Sequence, residues 1–475
     1  MAERAFCVHG HFYQPPREDP LTGRVPREAG AAPYQNWNER IHAQCYYPNT
    51  LLRNFERISF NFGPTLFEWM FDYDPETQAN IIMQAMKNVE AQQVGNAMAQ
   101  AYNHTILPLA SERDKVTQVR WGIADFEFRF GYKPQGMWLP ETGADNETLQ
   151  VLADCGIQFT ILAPWQADAE SVDTTHPYRV NLLNGQSLVV FFYDQALSTR
   201  VSFDPASTVN ADRFMGELVM PRFRSEWEGN NKPQLVMIAS DGELYGHHQP
   251  FRDKFLAYLL DKAAKNHGAQ VTYPAKWLRD HPVDEIISIR PRTSWSCYHG
   301  VTRWSGNCSC TPNGEWKEPF RKALNTLADA MDEEYEMALK SWVDDPWELR
   351  NRYIDVVHGE ETLEGLVYEQ GGKRPEGREL EKLQYFLRSQ YERQRMYTSC
   401  GWFFDDLDRI EPRNNLAYAA QATWLNRLAT GNDLTETIAE ELTAVRSWRS
   451  GLKAEDVFLK HLQRAGAAWR EKVEE

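Results

Sequence analysis

Two carboxylates stand where two short apolar runs end. Glu141 lies in Gly136-Met-Trp-Leu-Pro-Glu-Thr-Gly-Ala-Asp145, and Asp241 in Leu235-Val-Met-Ile-Ala-Ser-Asp-Gly-Glu-Leu-Tyr-Gly-His-His248. Each run has strand character, and each acid is followed by Gly and then by a helix-like pattern. In an α/β barrel such positions form the rim on which a site is built, at the carboxyl ends of the strands. One carboxylate to attack and one to donate a proton are the minimum equipment for breaking a glycosidic bond. Helix capping would explain an acid at a helix start, but not the Trp138 and Pro140 that precede Glu141. Glu243, His247 and His248 crowd the stretch after Asp241, a concentration of charge that points to a functional site.

Further candidates lie at other predicted strand ends. His9 and His11 are two residues apart after the first run, so a strand aims both rings to one side. Such a pair serves either as metal ligands or as partners for sugar hydroxyls, and Gln14 close by favours the sugar. Asn96 and His104 follow the third run. The segment 292–304 brings Trp295, His299 and Trp304 into a stretch without clear periodicity, read as a binding wall. In the helical part, residues 398–406 interrupt a stripe with aromatics and acids, which assigns Phe403 and Phe404 to the core and Trp402 and Asp405 to the site. Cys297, His299, Cys308 and Cys310 are spaced like no common zinc pattern. Neither a metal nor a cofactor is expected.

The elements that must position these groups alternate in type. Strands are predicted at 5–8, 58–62, 93–96, 135–139, 159–162, 188–193 and 235–239, with amphipathic helices at 75–92, 114–130 and 146–155. Alternation of this kind builds parallel βαβ units. About seven units in roughly 280 residues suit a barrel better than a small open sheet. A further strand is expected at 272–273 or 286–289, and long loops at 12–40 and 194–212. Beyond Gly314 the pattern turns helical. Phe320, Leu324, Leu327, Met331, Tyr335, Ala338 and Trp342 recur at steps of three and four, and similar stripes follow at 380–391, 416–428 and 457–469. The expected organisation is an α/β catalytic domain over 1–310 and an α-helical C-terminal domain over 311–475.

Composition excludes several classes. The 475 residues carry 51 Lys plus Arg against 67 Asp plus Glu, a net charge of −16 without a basic block, which argues against nucleic acid or an anionic membrane as partner. The seven cysteines show no disulfide framework, and neither a signal peptide nor a membrane span is apparent, so a cytoplasmic protein is expected. Sixteen Trp and 20 Tyr suit a site that stacks flat sugar faces. Nothing in the sequence fixes the oligomeric state.

These motifs, in this order, resemble glycoside hydrolase family 57. The resemblance rests on His9-Gly-His11 with Gln14-Pro15, Gly95-Asn96 with His104-Thr-Ile-Leu-Pro108, Trp138-Leu-Pro-Glu141, Asp241-Gly-Glu-Leu-Tyr-Gly-His247, and the loop from Trp295 to Trp304. It implies an incomplete (β/α)7 barrel with a C-terminal helical bundle, and a retaining hydrolase or transglycosylase acting on α-linked glucan or a related oligosaccharide. Glu141 is then the nucleophile and Asp241 the general acid/base. The residues expected to bind the sugar are His9, His11, Gln14, His104, Trp138, Glu243, His247, Trp295, His299, Trp304, Trp402 and Asp405. Two positions depart from the family pattern: Phe12-Tyr13 separates His11 from Gln14, and Met98 stands where the family commonly has Glu. The alternatives are a metal-dependent polysaccharide deacetylase using His9 and His11, and a non-catalytic glycan-binding protein of the same fold.

Overall fold

The computed structural model describes residues 3–229 and 232–474. Its strands are β1 (Arg4–Phe12), β2 (Ser59–Phe62), β3 (Ala99–Gln100), β4 (Met137–Trp138), β5 (Phe159–Leu162), β6 (Tyr178–Asn181), β7 (Ser187–Phe192), β8 (Gln234–Asp241) and β9 (Gln270–Val271). β1 is the hub. It runs parallel to β8 from Arg4↔Gln234 to His11↔Asp241, to β2 from His9↔Ser59 to Phe12↔Phe62, and to β9 at Ala5 and Phe6. The parallel pairing continues through Phe60↔Ala97, Ala99↔Met137 and Gly136↔Phe159 to β5 and β7. Strands β8, β1, β2, β3, β4, β5 and β7 are therefore neighbours in that order. β6 folds back antiparallel on β7.

Parallel neighbours need crossovers, and the sequence supplies capped helices for them. Asp74 accepts the Thr77 N–H to open Pro75–Gln92, and Asp145 accepts the Thr148 N–H to open Asn146–Asp154. Glu112–Phe130 lies between β3 and β4. The near-continuous apolar run of β8, buried from Gln234 to Ser240, is typical of a strand covered on both faces.

Three local expectations differ from what forms. The third strand is Ala99–Gln100, not 93–96. Asn96 instead donates to the carbonyls of Phe55 (2.7 Å) and Ile58 (2.6 Å), and a Cβ on Gly95 would lie 2.1 Å from the Tyr132 hydroxyl, so 95–96 is a packed turn. The stretch 194–212 is largely helical, beginning with Gln195–Phe203 capped by Asp194. The late strand is Gln270–Val271, while Ile286 and Ile289 form only isolated bridges.

The chain divides into two compact units. One takes the described residues of Met1–Gln14, Arg27–Ala101 and Phe126–Ser296; the other takes Pro15–Pro26, Tyr102–Asp125 and Cys297–Glu475. The first is α/β. One of its cores is built by alternate residues of the strands: Ala5 and Cys7 of β1, Phe159 and Ile161 of β5, and Leu235, Met237 and Ala239 of β8, with Trp138. The second unit is helical, with long helices Lys317–Leu339, Gly377–Arg395, Ile410–Thr430 and Ala454–Glu474. Phe320, Leu324, Leu327, Met331 and Tyr335 are buried as the stripe requires. Gly372 (φ 67°) and Gly431 (φ 82°) end their helices in the left-handed conformation. No helix among the described residues is long and apolar enough to cross a membrane.

A buried charge network also ties the helical unit together. Asp114 accepts both oxygens' bonds from Arg393 (2.9 and 3.0 Å) and pairs with the fully buried Arg350 (3.1 Å), while Arg393 also reaches Asp332 (2.6 Å). Burial pushes the Asp114 carboxyl up, but Arg393 and Arg350 together outweigh it and hold it down at about 2. Removing one partner strands buried charge. Asp114→Ala should therefore lower stability at pH 7 by about 3–5 kcal/mol, read from urea unfolding. The depressed pKa makes Asp114's contribution complete above the ordinary carboxylate range and lost as pH falls toward 2, so the gap between wild type and variant should narrow below pH 4.

Candidate active site

Strand parity builds one wall of the candidate site. His9 and His11 continue the series of Ala5 and Cys7 on β1, and Asp241 continues that of Leu235, Met237 and Ala239 on β8. Side chains two apart share a face, so the core face below becomes a polar face at the carboxyl ends of both strands. β2 adds to it in register: Ser59 opposite His9 and Asn61 opposite His11. His9 Nδ1 lies 2.9 Å from Ser59 Oγ and its Nε2 3.2 Å from Asn61 Oδ1. His11 Nδ1 lies 3.0 Å from Asn61 Nδ2, which also donates to Gln100 Oε1 at 2.8 Å. Both imidazoles stack on the buried indole of Trp138, with ring centres 4.7 and 5.0 Å away. Burial drives both histidines down to about 3, with His11 adding to the push on His9, so both are neutral near pH 7.

Glu141 is held by a turn of unusual geometry. Glu141 (φ 56°) and Thr142 (φ 50°) are consecutive left-handed residues, and neither is Gly. Such backbone costs about 1–3 kcal/mol per residue and persists only when its surroundings over-determine it. Here they do. The turn is stapled to the chain at 293–295 by Trp295 N–H to Glu141 O (3.0 Å) and by the reciprocal Ala144 and Thr293 pair (3.0 and 3.1 Å). Buried Gln166 accepts from the Thr142 hydroxyl and donates to the Thr142 carbonyl, both at 2.8 Å. The Glu141 side chain then receives two donors on Oε2, Trp295 Nε1–H at 2.9 Å and the Ser296 hydroxyl at 2.7 Å.

Asp241 is different in kind. It is accessible at the end of β8, yet the walls around it leave it poorly hydrated. Desolvation raises its carboxyl to about 7, and the charge of Glu141 adds to the push. Glu243 is buried, accepting from the Tyr46 hydroxyl (2.7 Å) and the Tyr13 N–H (3.1 Å) on Oε1. Burial, and then the charge of Asp241, lifts it to about 8 against those bonds.

The α/β unit therefore gathers Glu141, Asp241, His9, His11, Trp138 and Trp295, with Glu243 buried behind Tyr13 and Tyr46. Gln14 is half-buried and hydrogen-bonds Tyr46. His247 is half-buried, with Nδ1 2.6 Å from Gln44 Oε1 and its ring edge-on to Trp37. The remaining candidates belong to the helical unit. His104 is buried there, Nδ1 2.6 Å from Ser399 Oγ. Trp304 and Trp402 are fully buried in its core, Trp402 stacked on Phe320 at 5.0 Å. Asp405 pairs with Arg449 at 2.8 Å. His299 lies beside Cys308 and Cys310, so the fold gathers a set that its spacing did not identify as a metal centre.

Sequence reasoning missed Ser296, Asn61, Tyr46 and Gln166. A signal existed for Asn61: Ser59-Phe60-Asn61-Phe62 alternates polar and aromatic, which gives β2 one polar face. The others act through tertiary contacts that leave no mark on spacing.

Residues 5–290 match the model of glycosyl hydrolase family 57, and residues 313–469 match a domain of unknown function, DUF3536. The chain is 25% identical over 227 residues to alpha-amylase 1 of Dictyoglomus thermophilum, covering 44% of this chain and 29% of that protein. It is 23% identical over 216 residues to an alpha-amylase of Pyrococcus furiosus, covering 44% and 30%. These matches span less than a third of either relative's length. In fold, the chain is similar to an exo-type maltose-forming amylase from Pyrococcus sp. ST04, with TM-score 0.75 at 17% identity over 96% of this chain and 88% of that one. It is also similar to a branching enzyme from Pyrococcus horikoshii, with TM-score 0.61 at 15% identity over 96% of both chains. With the family model covering more than half of its length, the chain belongs to glycosyl hydrolase family 57.

Proposed function

We propose that this protein is a retaining glycoside hydrolase or transglycosylase acting on α-linked glucan or a related oligosaccharide, its site carried by an incomplete (β/α)7 barrel over 1–310 with an α-helical domain over 311–475. The observation that carries the reading is the division between the two carboxylates. Glu141 accepts two hydrogen bonds on one oxygen, which favour its charged form, while Asp241 is raised to about 7 by desolvation of its carboxyl and by Glu141. An ionised nucleophile and a protonated acid can then coexist near neutral pH.

In the first step Glu141 attacks the anomeric carbon as Asp241 protonates the leaving oxygen. In the second, Asp241 takes a proton from water or an acceptor sugar hydroxyl, which displaces Glu141. Ester formation removes the charge of Glu141, so Asp241 becomes more acidic halfway through, as its change from protonated acid to base requires. His9, His11 and Trp138 are assigned to the sugar. Both ring nitrogens of His9 are engaged by Ser59 and Asn61, which disfavours the deacetylase alternative, where that ring binds a metal. The cytoplasmic location belongs to the same proposal.

The mechanism fixes three outcomes. Glu141→Ala should cost several orders of magnitude in turnover on every substrate. Asp241→Ala should keep measurable glycosylation on an activated aryl α-glycoside, with a glycosyl-enzyme on Glu141 seen by intact-mass spectrometry; equal behaviour of the two variants would refute the division of roles. NMR of the first product should show retained α configuration, and a β product would exclude double displacement.

The pH dependence is equally specific. kcat/KM should fall above pH about 7, as Asp241 loses its proton. A carboxyl raised in the folded state stabilises the fold when protonated and loses that contribution as pH rises from its ordinary value through about 7. Asp241→Asn should therefore raise Tm little at pH 4 and most above pH 7; a pH-independent difference would contradict the raised pKa.

A further inference from the structure

We propose that Cys297, His299, Cys308 and Cys310 form a structural zinc site in the helical unit. One ligand atom from each lies within 4.8 Å of all the others, and among the described residues this is the one group of three or more His, Cys, Asp or Glu side chains so placed. Cys297 Sγ is 3.5 Å from Cys308 Sγ, and His299 Nδ1 is 3.1 Å from Cys308 Sγ and 3.4 Å from Cys310 Sγ. A tetrahedron with Zn–S of about 2.3 Å and Zn–N of about 2.0 Å has edges of about 3.5–3.8 Å. The observed separations are close to those edges. A disulfide between Cys297 and Cys308 would use two of the four groups and leave the convergence of Cys310 and His299 without a reason.

The backbone presents the four as two pairs. Gly300 N–H bonds Cys297 O at 3.2 Å, which turns the chain around His299; Thr311 N–H bonds Cys308 O at 2.8 Å, which turns it between Cys308 and Cys310. Each tight turn offers its first and third residues to the same point. The Ser309 hydroxyl lies 3.4 Å from His299 Nε2, placed to accept its proton and leave Nδ1 as the metal-binding nitrogen. Cys297 and Cys308 are buried against the core that contains Val301, Trp304 and Trp316, whereas His299 is exposed, giving the ion a route in. Four protein ligands close the coordination sphere, which makes the site structural rather than hydrolytic. Between Cys297 and Trp316 the only helix is the single turn Thr302–Trp304. The ion would hold this segment where hydrogen-bonded structure is sparse.

The test uses the full chain, purified under reducing conditions without a metal-affinity step. Elemental analysis should find about one zinc per chain, and Co(II) exchanged into the protein should show the intense visible bands of a tetrahedral thiolate site. His299→Ala, at an exposed position, should fold and lose zinc to a chelator far more readily. Ser309→Ala should weaken retention by about 10–100-fold, the usual effect of an outer hydrogen-bond partner. Cys308→Ser with Cys310→Ser should abolish zinc binding and lower Tm, whereas Cys155→Ser should keep the full zinc content. Substoichiometric zinc, a Cys297–Cys308 disulfide in the reduced preparation, or unchanged retention in His299→Ala would overturn the assignment.

Discussion

The register between β1 and β8 is the constraint on which the candidate site depends. With His11 opposite Asp241 and Ala5 opposite Leu235, each strand sends its odd-numbered side chains to one face, apolar at the start and polar at the carboxyl end. A slip of one residue would send His9, His11 and Asp241 to the other face. The slip is opposed at both ends. Gly10 and Gly242 are required by the Phe12 ring, since a Cβ on either would come within 2.7 and 2.4 Å of it, so aromatic and glycines lock together in one alignment only. The buried pairing of β1 with β8, β2 and β9 leaves no unpaired edge on which it could move.

The same wall that fixes geometry sets the electrostatics. Desolvation of the Asp241 carboxyl and the charge of Glu141 together raise it, and the charge of Asp241 adds to the burial that raises Glu243. A poorly hydrated carboxylate beside a second one cannot be ionised without cost, so the protein gives up stability to hold a proton there. Two left-handed residues at 141 and 142 are a second such cost, met by Gln166 and by the hydrogen bonds from 293–295. The costs concentrate at the two acids, and the compensating contacts come from several separate segments.

That distribution explains what could be read from the sequence. The acids, the histidine pair and Trp138 were legible because period-two alternation and strand ends are local properties. The helical stripes were legible for the same reason, and Phe320, Leu324 and Met331 are buried as their spacing requires. The third strand was misplaced because Asn96, in a strand-like run, spends its side chain on backbone carbonyls of another segment. Ser296 and Gln166 were invisible, since a hydroxyl or amide acquires its role only from a partner brought close by the fold. The Cys and His ligand set lacked a recognisable spacing because its turns offer residues two apart instead of three. Trp304, from a loop read as a wall, and Trp402, assigned to the site, both lie in the core of the helical unit.

The departures from the family pattern bear on what the proposed enzyme accepts. The inserted pair does structural work: Phe12 packs on Phe62, with ring centres 5.0 Å apart, and the Tyr13 N–H ties down Glu243. Gln14, carried two positions further along, bonds the Tyr46 hydroxyl, and Tyr46 in turn donates to Glu243. The insertion thus joins Gln14, Tyr46, Tyr13 and Glu243 into one network behind Asp241. The Ser59 hydroxyl donates to the Met98 sulfur at 3.7 Å, and the same hydroxyl meets His9. None of these changes removes a group assigned to bond cleavage. On the proposed reading the double displacement therefore persists, and these changes bear on the choice of sugar, linkage and acceptor.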